Sequence, residues 1–308
     1  MSVNSSNSSL LPHPPFSSLD PYDFAYKCFT STTGLVSATT FTITGIIILL
    51  PLCVFVLYLG HQRWRQQRSG TVMSHSDVFT YHMVVIELMN IFGSILTCFG
   101  ALPELPKMIT AAGCLFNINT SGQMLFHILT CLERYLAVVH PVTYLNLKKA
   151  NGIRIRNITI GCVWLLCFAS SGLMFIKNST TATIMSLFVT ALALITMCFC
   201  SLSVLWVLIR PGPGEGGGSR QQVHQSKLRA FYIIMAIFGV LFLKFGQNMV
   251  GTSLGASGQL GETGMCDLLL SAPWFSLPSS LVLPLLFLHR AGKLPCYKSN
   301  TQSGQGSD

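Results

Sequence analysis

The chain has 308 residues; half are hydrophobic, only 9% are charged, and the formal net charge is +9. A soluble domain usually carries about a quarter charged residues, so the composition excludes a soluble core within a charged surface. It indicates a membrane protein. The basic residues are spread through short segments between apolar runs, and this distribution argues against a nucleic-acid-binding protein.

The first residues, MSVNSSNSSLLPHPPFSSLD, are polar and rich in Ser and Pro. They lack the basic start and the apolar run of a cleavable signal peptide, so we expect the first apolar helix to direct membrane insertion. We predict an extracellular segment over 1–33, a membrane domain over 34–290 and a cytosolic tail over 291–308. The two halves show no sequence repeat, which argues against a transporter built from duplicated bundles.

The apolar runs predict an all-α membrane protein, a seven-transmembrane helix bundle. A helix needs roughly 20 mostly apolar residues to cross a bilayer. The seven stretches of that kind cover 34–60, 77–101, 108–139, 157–177, 182–209, 228–253 and 266–288. The third contains the polar run CLFNINTSGQMLFHILT, and polar groups are tolerated where neighbouring helices supply partners. We therefore predict that the third span is the inner helix of the bundle.

The Lys and Arg residues between the spans predict the orientation. Fifteen of them, with Arg134 included, follow spans one, three and five or lie in the tail, and three lie on the opposite side: Lys27, Lys107 and Lys177. Basic residues concentrate on the cytosolic side of a membrane. The sequence therefore predicts an extracellular amino terminus and a cytosolic carboxyl terminus.

Asparagine sequons agree with this orientation. Asn4, Asn7 and Asn178 each begin a glycosylation tripeptide on the predicted outer side, so we expect them to be modified. Asn119 lies within a span and Asn157 on the inner side, so we expect neither to be modified.

The third span ends in the sequence LERYLAVVHPVTY, where Glu133 and Arg134 are adjacent. An arginine at the edge of hydrocarbon is costly unless it is paired, and Glu133 can supply the partner. If the helices part, the guanidinium is released toward a cytosolic protein, so the pair can bias a two-state bundle. The alternative is an arginine that only anchors the helix end by extending to the interface.

This sequence resembles the rhodopsin-like (class A) G-protein-coupled receptors, which carry an acid-Arg-aromatic triplet at this place and a proline in the next loop. The corresponding residues here are Glu133, Arg134, Tyr135 and Pro141. The resemblance implies a plasma-membrane receptor that transmits an extracellular ligand signal to a heterotrimeric G protein through this triplet.

Three further positions are similar to that family in part. Trp164 lies where the family has a tryptophan in its fourth helix, and a packing role is the alternative. Glu87, in VIELMN, lies where the family has a sodium-binding aspartate, and a protonated, hydrogen-bonded glutamate is the alternative. Pro284 stands in the seventh-helix box, but the asparagine and tyrosine of that box are Leu283 and Phe287 here, so a helix bend is the favoured interpretation.

Lys244 is the sharpest local anomaly, because it lies within the apolar run VLFLKFGQNMV. A lysine at that depth requires an acid, a polar cavity or an anionic ligand. The structural alternative pairs it with Glu87 or Asp267, and the functional alternative gives it a ligand carboxylate or phosphate. Gln247 and Asn248, one turn on, are candidates to line the same cavity.

Most of the eleven cysteines lie within spans, where reduced thiols are the norm. Cys28 and Cys266 lie just before spans one and seven on the predicted outer side, and a bridge between them would resemble the second disulfide of chemokine-type receptors. Cys114 and Cys98 are competing partners. Cys296, beyond the last span, is a candidate palmitoylation site.

The sequence contains no catalytic constellation, no metal-ligand spacing and no cofactor motif, so we expect neither an enzyme nor a bound metal or cofactor. Three functions stay open: a receptor coupled to a heterotrimeric G protein, a non-signalling receptor-like binding protein, and a small-solute transporter or channel. The partners expected for a receptor are membrane lipid, the G protein, and an extracellular ligand that is a peptide or a small anion.

Overall fold

The protein is described here from a computed structural model, which covers residues 21–66, 75–101, 105–147, 150–173, 179–209, 220–257 and 261–290. These residues are almost entirely helical and contain no β-strand. The helices are α1 (Pro21–Thr30), α2 (Thr32–Thr44), α3 (Leu50–Gln66), α4 (His75–Ala101), α5 (Pro106–Val139), α6 (Pro141–Leu147), α7 (Ala150–Leu173), α8 (Ser179–Ile209), α9 (Arg220–Ser257) and α10 (Glu262–Arg290).

The first long apolar helix changes its hydrogen-bond pattern halfway along its length. A short π-helical segment, Gly45–Leu49, joins α2 to α3, and Pro51 is the second residue of α3. Proline has no N–H to donate to the preceding turn, and a wider turn is one way in which a helix accommodates the lost bond. The chain therefore runs from Thr32 to Arg65 as one apolar helical segment.

Within the described residues, five helical segments are long and apolar enough to cross a membrane: Thr32–Arg65, Asp77–Ala101, Gly152–Leu173, Thr183–Val207 and Met235–Gly255. Large apolar side chains on their outer surfaces are mostly exposed, including Leu165 at 70%, Ile47 at 67% and Ile195 at 64%. Apolar faces of this extent are expected where lipid rather than water surrounds a helix. The fold is therefore consistent with a membrane-embedded protein.

The α5 helix occupies the interior of the bundle, which confirms the prediction for the third apolar stretch. It packs against α4 on one side, α7 on another and α8 on a third. The α9 helix packs against α8 and α10, and α10 in turn contacts α2 and α4. Polar side chains on α5 therefore face neighbouring helices, which supply their hydrogen-bond partners.

An aromatic cluster fixes α5 against α4 and α7. Phe126 is fully buried and stacks on the His82 ring, with 5.5 Å between the ring centroids. The Trp164 ring contacts both of these rings edge-on, and its Nε1–H donates a hydrogen bond to His82 Nδ1 over 3.3 Å. Trp164 therefore joins α7 to α4 across the end of Phe126.

The short α1 helix covers one end of the bundle, where it contacts α2, α4, α5 and α10. It lies within the segment that the sequence predicted to precede the membrane domain. A disulfide joins Cys28 to Cys266 at the start of α10, with 5.4 Å between the Cα atoms. The predicted pairing of these two cysteines is confirmed, and Cys98 and Cys114 are free thiols. We call this end of the bundle the disulfide end, and the opposite end the Arg134 end.

Close approach at one glycine makes the turn between α1 and α2 possible. A Cβ atom at Gly34 would collide with the carbonyl oxygen of Cys28. The Ser31 side chain caps α2 by accepting a hydrogen bond from the Gly34 N–H, and its hydroxyl donates to the Cys28 carbonyl over 2.7 Å. Gly34 and Ser31 together hold α1 against the top of α2.

Candidate functional site

A polar cluster lies buried between four helices, in the middle of the bundle. Its three central members are Glu87 on α4, Gln123 on α5 and Lys244 on α9, which are 4%, 2% and 6% exposed. Ser280 on α10 is also buried and completes the cluster from the fourth side. Ionisable side chains at such depth in an apolar bundle are expensive to bury and usually have a specific role.

Gln123 connects the two charged groups of this cluster. The Lys244 ammonium donates to Gln123 Oε1, and Gln123 Nε2 donates to Glu87 Oε1. The second N–H of the same amide donates to Asn119 Oδ1 over 2.8 Å. A primary amide has two N–H donors and one carbonyl acceptor, and here each of the three groups has a partner.

The Glu87 carboxylate receives further hydrogen bonds from two helices. The Ser280 hydroxyl donates to Oε1, and Asn90 Nδ2 donates to Oε2 over 3.5 Å. An ionised carboxylate only accepts hydrogen bonds, and the three donors around Glu87 match that requirement. The hydrogen-bond pattern therefore suits an ionised Glu87 opposite a protonated Lys244.

Of the two acids that the sequence offered as partners of Lys244, Glu87 lies in the same buried cluster and Asp267 does not. The structure places Lys244 with Glu87, although Gln123 stands between the two charges. Asp267 is exposed near the start of α10, at the disulfide end. Gln247 and Asn248 are half-buried, and their side chains make no hydrogen bond to another described residue.

A small cavity of about 10 Å³ adjoins the cluster. Glu87, Gln123, His127, Ser279 and Pro284 are among the residues that line it. A volume of that size is about what a single water molecule requires. Pro284, which the sequence suggested as a helix bend, therefore lies directly beside the cluster.

His127 links this cluster to the Arg134 end of the bundle. Asn119, Gln123 and His127 recur at intervals of four residues, so they lie on one face of α5. His127 is buried and also lines a second cavity of about 40 Å³, which lies between α5, α8 and α9. A polar face of α5 thus runs from the central cluster to the second cavity.

Arg134 lines the second cavity at its far end. Cys131 on α5, Cys200 on α8 and Leu241 on α9 line it as well. The cavity is bounded by all three helices, so a displacement of α9 would change the surroundings of the Arg134 guanidinium.

Glu133 faces different neighbours from Arg134. The Glu133 carboxylate is 9% exposed and accepts a hydrogen bond from the Tyr144 hydroxyl of α6 over 3.3 Å. The Arg156 guanidinium of α7 interacts with the same carboxylate electrostatically. The Tyr135 ring packs edge-on against His140, immediately before Pro141 begins α6. Glu133 therefore joins α5 to α6 and α7, whereas the Tyr135 ring also packs on Phe199 of α8.

Four predicted modification sites lie outside the described residues. They are the sequons at Asn4, Asn7 and Asn178 and the thiol of Cys296. Among the described residues, no group of three or more His, Cys, Asp or Glu side chains is arranged to hold a metal ion.

Sequence reasoning missed the uncharged members of the central cluster. These are common residue types, and only the folded structure shows that Asn90, Gln123 and Ser280 converge on Glu87 and that Asn119 accepts from Gln123. One signal was available: the four-residue spacing from Asn119 to Gln123 to His127 places three polar side chains on one face of the most polar span.

The sequence matches no protein-family model. No curated protein is significantly similar to it. The fold and the site define an all-α protein with several helices suited to a membrane, an ionic cluster at its centre and an arginine-lined cavity at one end. Any more specific function must be argued from these residues.

Proposed function

We propose that the protein is a divergent receptor of the rhodopsin-like type, located in the plasma membrane and coupled to a heterotrimeric G protein. In this proposal α5 and α10 cross the membrane together with the five more apolar segments, which gives seven spans. The disulfide end faces the outside and the Arg134 end faces the cytosol. The asymmetric distribution of Lys and Arg along the sequence supports this orientation.

One observation carries the proposal: Arg134 lines a cavity that α5, α8 and α9 share. Its neighbour Glu133 is held by α6 and α7 instead. If α9 moves away from α5, the Arg134 guanidinium becomes open to a cytosolic protein while Glu133 keeps its contacts. Helix displacements of this kind are an established way of switching a packed bundle between two states.

The ligand acts at the disulfide end in this proposal. Lys244 is already engaged by Gln123 inside the bundle, which favours a structural role for this cation over binding a ligand anion. The α1 helix and its disulfide to α10 lie across the disulfide end. A peptide that contacts α1 fits this arrangement better than a small anion that must reach Lys244.

The test is a screen for basal nucleotide exchange, which needs no known ligand. Wild-type receptor in lipid nanodiscs is mixed with purified heterotrimers of each major class, and uptake of a non-hydrolysable GTP analogue is followed. We expect Arg134→Ala to reduce the basal rate at least tenfold. Arg154→Ala is the matched control, because Arg154 is exposed on α7, and we expect it to keep most of the basal rate. Equal rates for wild type and Arg134→Ala would refute the proposal.

The same wild-type protein and variants also distinguish two other functions from the receptor. A non-signalling binding protein would reach the cell surface, and no heterotrimer would respond to it. A transporter or channel would show solute flux that depends on Lys244 and Glu87 and survives the loss of Arg134. The cavities at Arg134 and at the central cluster are small, about 40 Å³ and 10 Å³, which favours a signalling bundle over a solute path.

A further inference from the structure

The amide of Gln123 is held by three hydrogen bonds. It lies between a cation on α9 and an anion on α4, and it also donates to Asn119 on its own helix. Its carbonyl faces the ammonium and its NH₂ faces the carboxylate. Rotation of the amide by half a turn would point donors at a cation and an acceptor at an anion, so the two charges fix its orientation.

The Lys244 charge in turn depends on Gln123. The Lys244 ammonium is 6% exposed, and within the described residues its hydrogen-bond acceptor is the Gln123 carbonyl. A buried charge that loses its partner is strongly destabilising. Loss of Gln123 would therefore weaken the packing of α9 on α5 and the pairing of α4 with α9 in a single step.

The cluster also has a short route to Arg134. Leu241 precedes Lys244 by one turn of α9, and His127 follows Gln123 by one turn of α5. Both line the cavity that contains Arg134. A shift of α9 at Lys244 therefore also moves Leu241, which lines that cavity one helical turn away.

We propose that Gln123 is the positioning residue that couples Glu87 to Lys244, so that the three side chains act as one latch that holds α9 against α5. The inference rests on the proposed function in one respect: in a receptor, this latch sets the basal activity by keeping the Arg134 cavity closed. The latch itself is a property of the bundle and can be tested without a G protein.

The first experiment compares Gln123→Leu with Gln247→Leu. The control removes the same side chain from a half-buried position on α9 that makes no hydrogen bond to a described residue. Purified protein is treated with N-ethylmaleimide, and the alkylation rate of each cysteine is measured by peptide mass spectrometry. Cys131 and Cys200 line the cavity between α5, α8 and α9 and report its opening. Cys167 is fully buried against α4 and α5 and serves as the reference thiol.

We expect Gln123→Leu to raise the alkylation rates of Cys131 and Cys200 by about fivefold or more relative to Cys167, as a coupling of moderate size implies. We expect Gln247→Leu to leave these ratios within about twofold of wild type. Equal ratios for the two variants would overturn the proposal. If Gln123→Leu does not accumulate, Gln123→Asn replaces it, because an amide that is shorter by one methylene cannot reach both charges.

The second experiment is a double-mutant cycle with Glu87→Gln and Lys244→Met. In protein that keeps the wild-type Gln123, we expect the effects of the two changes on the melting temperature to be non-additive, since removal of either charge leaves the other buried without its partner. In the Gln123→Leu or Gln123→Asn background we expect the changes to become additive. Persistent non-additivity would show that the charges interact without Gln123, and the proposal would fall.

Failure of the latch and failure of the receptor proposal give different results. If no heterotrimer responds to the wild type but Gln123→Leu still exposes Cys131, the latch stands and the receptor proposal falls. If the wild type signals but Gln123→Leu behaves like Gln247→Leu in both assays, the receptor stands and the latch falls. If both hold, Gln123→Leu also raises basal nucleotide exchange severalfold.

Discussion

The packing of Phe126 gives a prediction that tests the bundle itself. Its ring is fully buried and contacts the rings of His82, Trp164 and Phe79 on two neighbouring helices. Phe126→Ala removes the only α5 side chain in this aromatic group. We expect a large fall in the free energy of unfolding. Its size depends on whether lipid or water surrounds the helices after they separate.

The magnitude follows from the environment of the unfolded state. A Phe→Ala change in a water-soluble core costs about 3–5 kcal/mol, part of which is the transfer of the side chain from water. Helices that separate within lipid lose no such transfer energy, so the cavity dominates. Removal of about 100 Å³ at roughly 24 cal/mol per Å³ gives about 2.4 kcal/mol. Loss of a well-placed ring pair adds about 0.5–1.5 kcal/mol, and we expect about 3 kcal/mol in total.

The assay is equilibrium unfolding by sodium dodecyl sulfate in lipid-containing micelles, followed by tryptophan fluorescence. Trp164 contacts Phe126 directly, so its emission reports the same region. Phe92→Ala is the matched control: Phe92 also lies on a helix of this group but is 55% exposed. We expect the control to change the free energy of unfolding by less than about 0.5 kcal/mol. A difference of less than about 1 kcal/mol between the two variants would contradict the described packing of α4, α5 and α7.

Two further predictions concern the disulfide end. We expect the same fall in melting temperature from Cys28→Ser, from Cys266→Ser and from the double variant, because each removes the same bridge. A reductant should lower the melting temperature of the wild type but not of the variants. Additive losses from the two single changes would show that the cysteines are not bridged. Gly34→Ala should destabilise the protein by about 1–3 kcal/mol in the same unfolding assay, because the new methyl group meets the Cys28 carbonyl. At Gly161 a Cβ would meet open space, so Gly161→Ala should be neutral or stabilising by up to about 1 kcal/mol; equal losses at the two sites would refute this account.

The helical architecture could be predicted largely from apolar runs, although several ends differ. The predicted span 228–253 lies within α9, which begins eight residues earlier at Arg220. Hydropathy detects the apolar part of a helix, but polar turns beyond it still form hydrogen bonds along the backbone. For the same reason α1, within the polar segment before the first apolar run, was not predicted as a helix.

The charged members of the site could be predicted, and the uncharged ones could not. Glu87 and Lys244 stand out because an ionisable residue is rare within an apolar span. Gln123 does not stand out, because an amide on a helix is ordinary until its neighbours are known. Its importance comes from two side chains that are distant in sequence, Glu87 and Lys244, and a single sequence holds no direct sign of that convergence.

The bridge between Cys28 and Cys266 spans 238 residues, so it closes nearly the whole helical body into a covalent ring. Tension applied at the two termini passes from α1 straight to α10, and the helices between them carry none of it. In its oxidised form the molecule should therefore resist being drawn out of a bilayer helix by helix, whereas a reducing agent would open the ring and allow stepwise extraction.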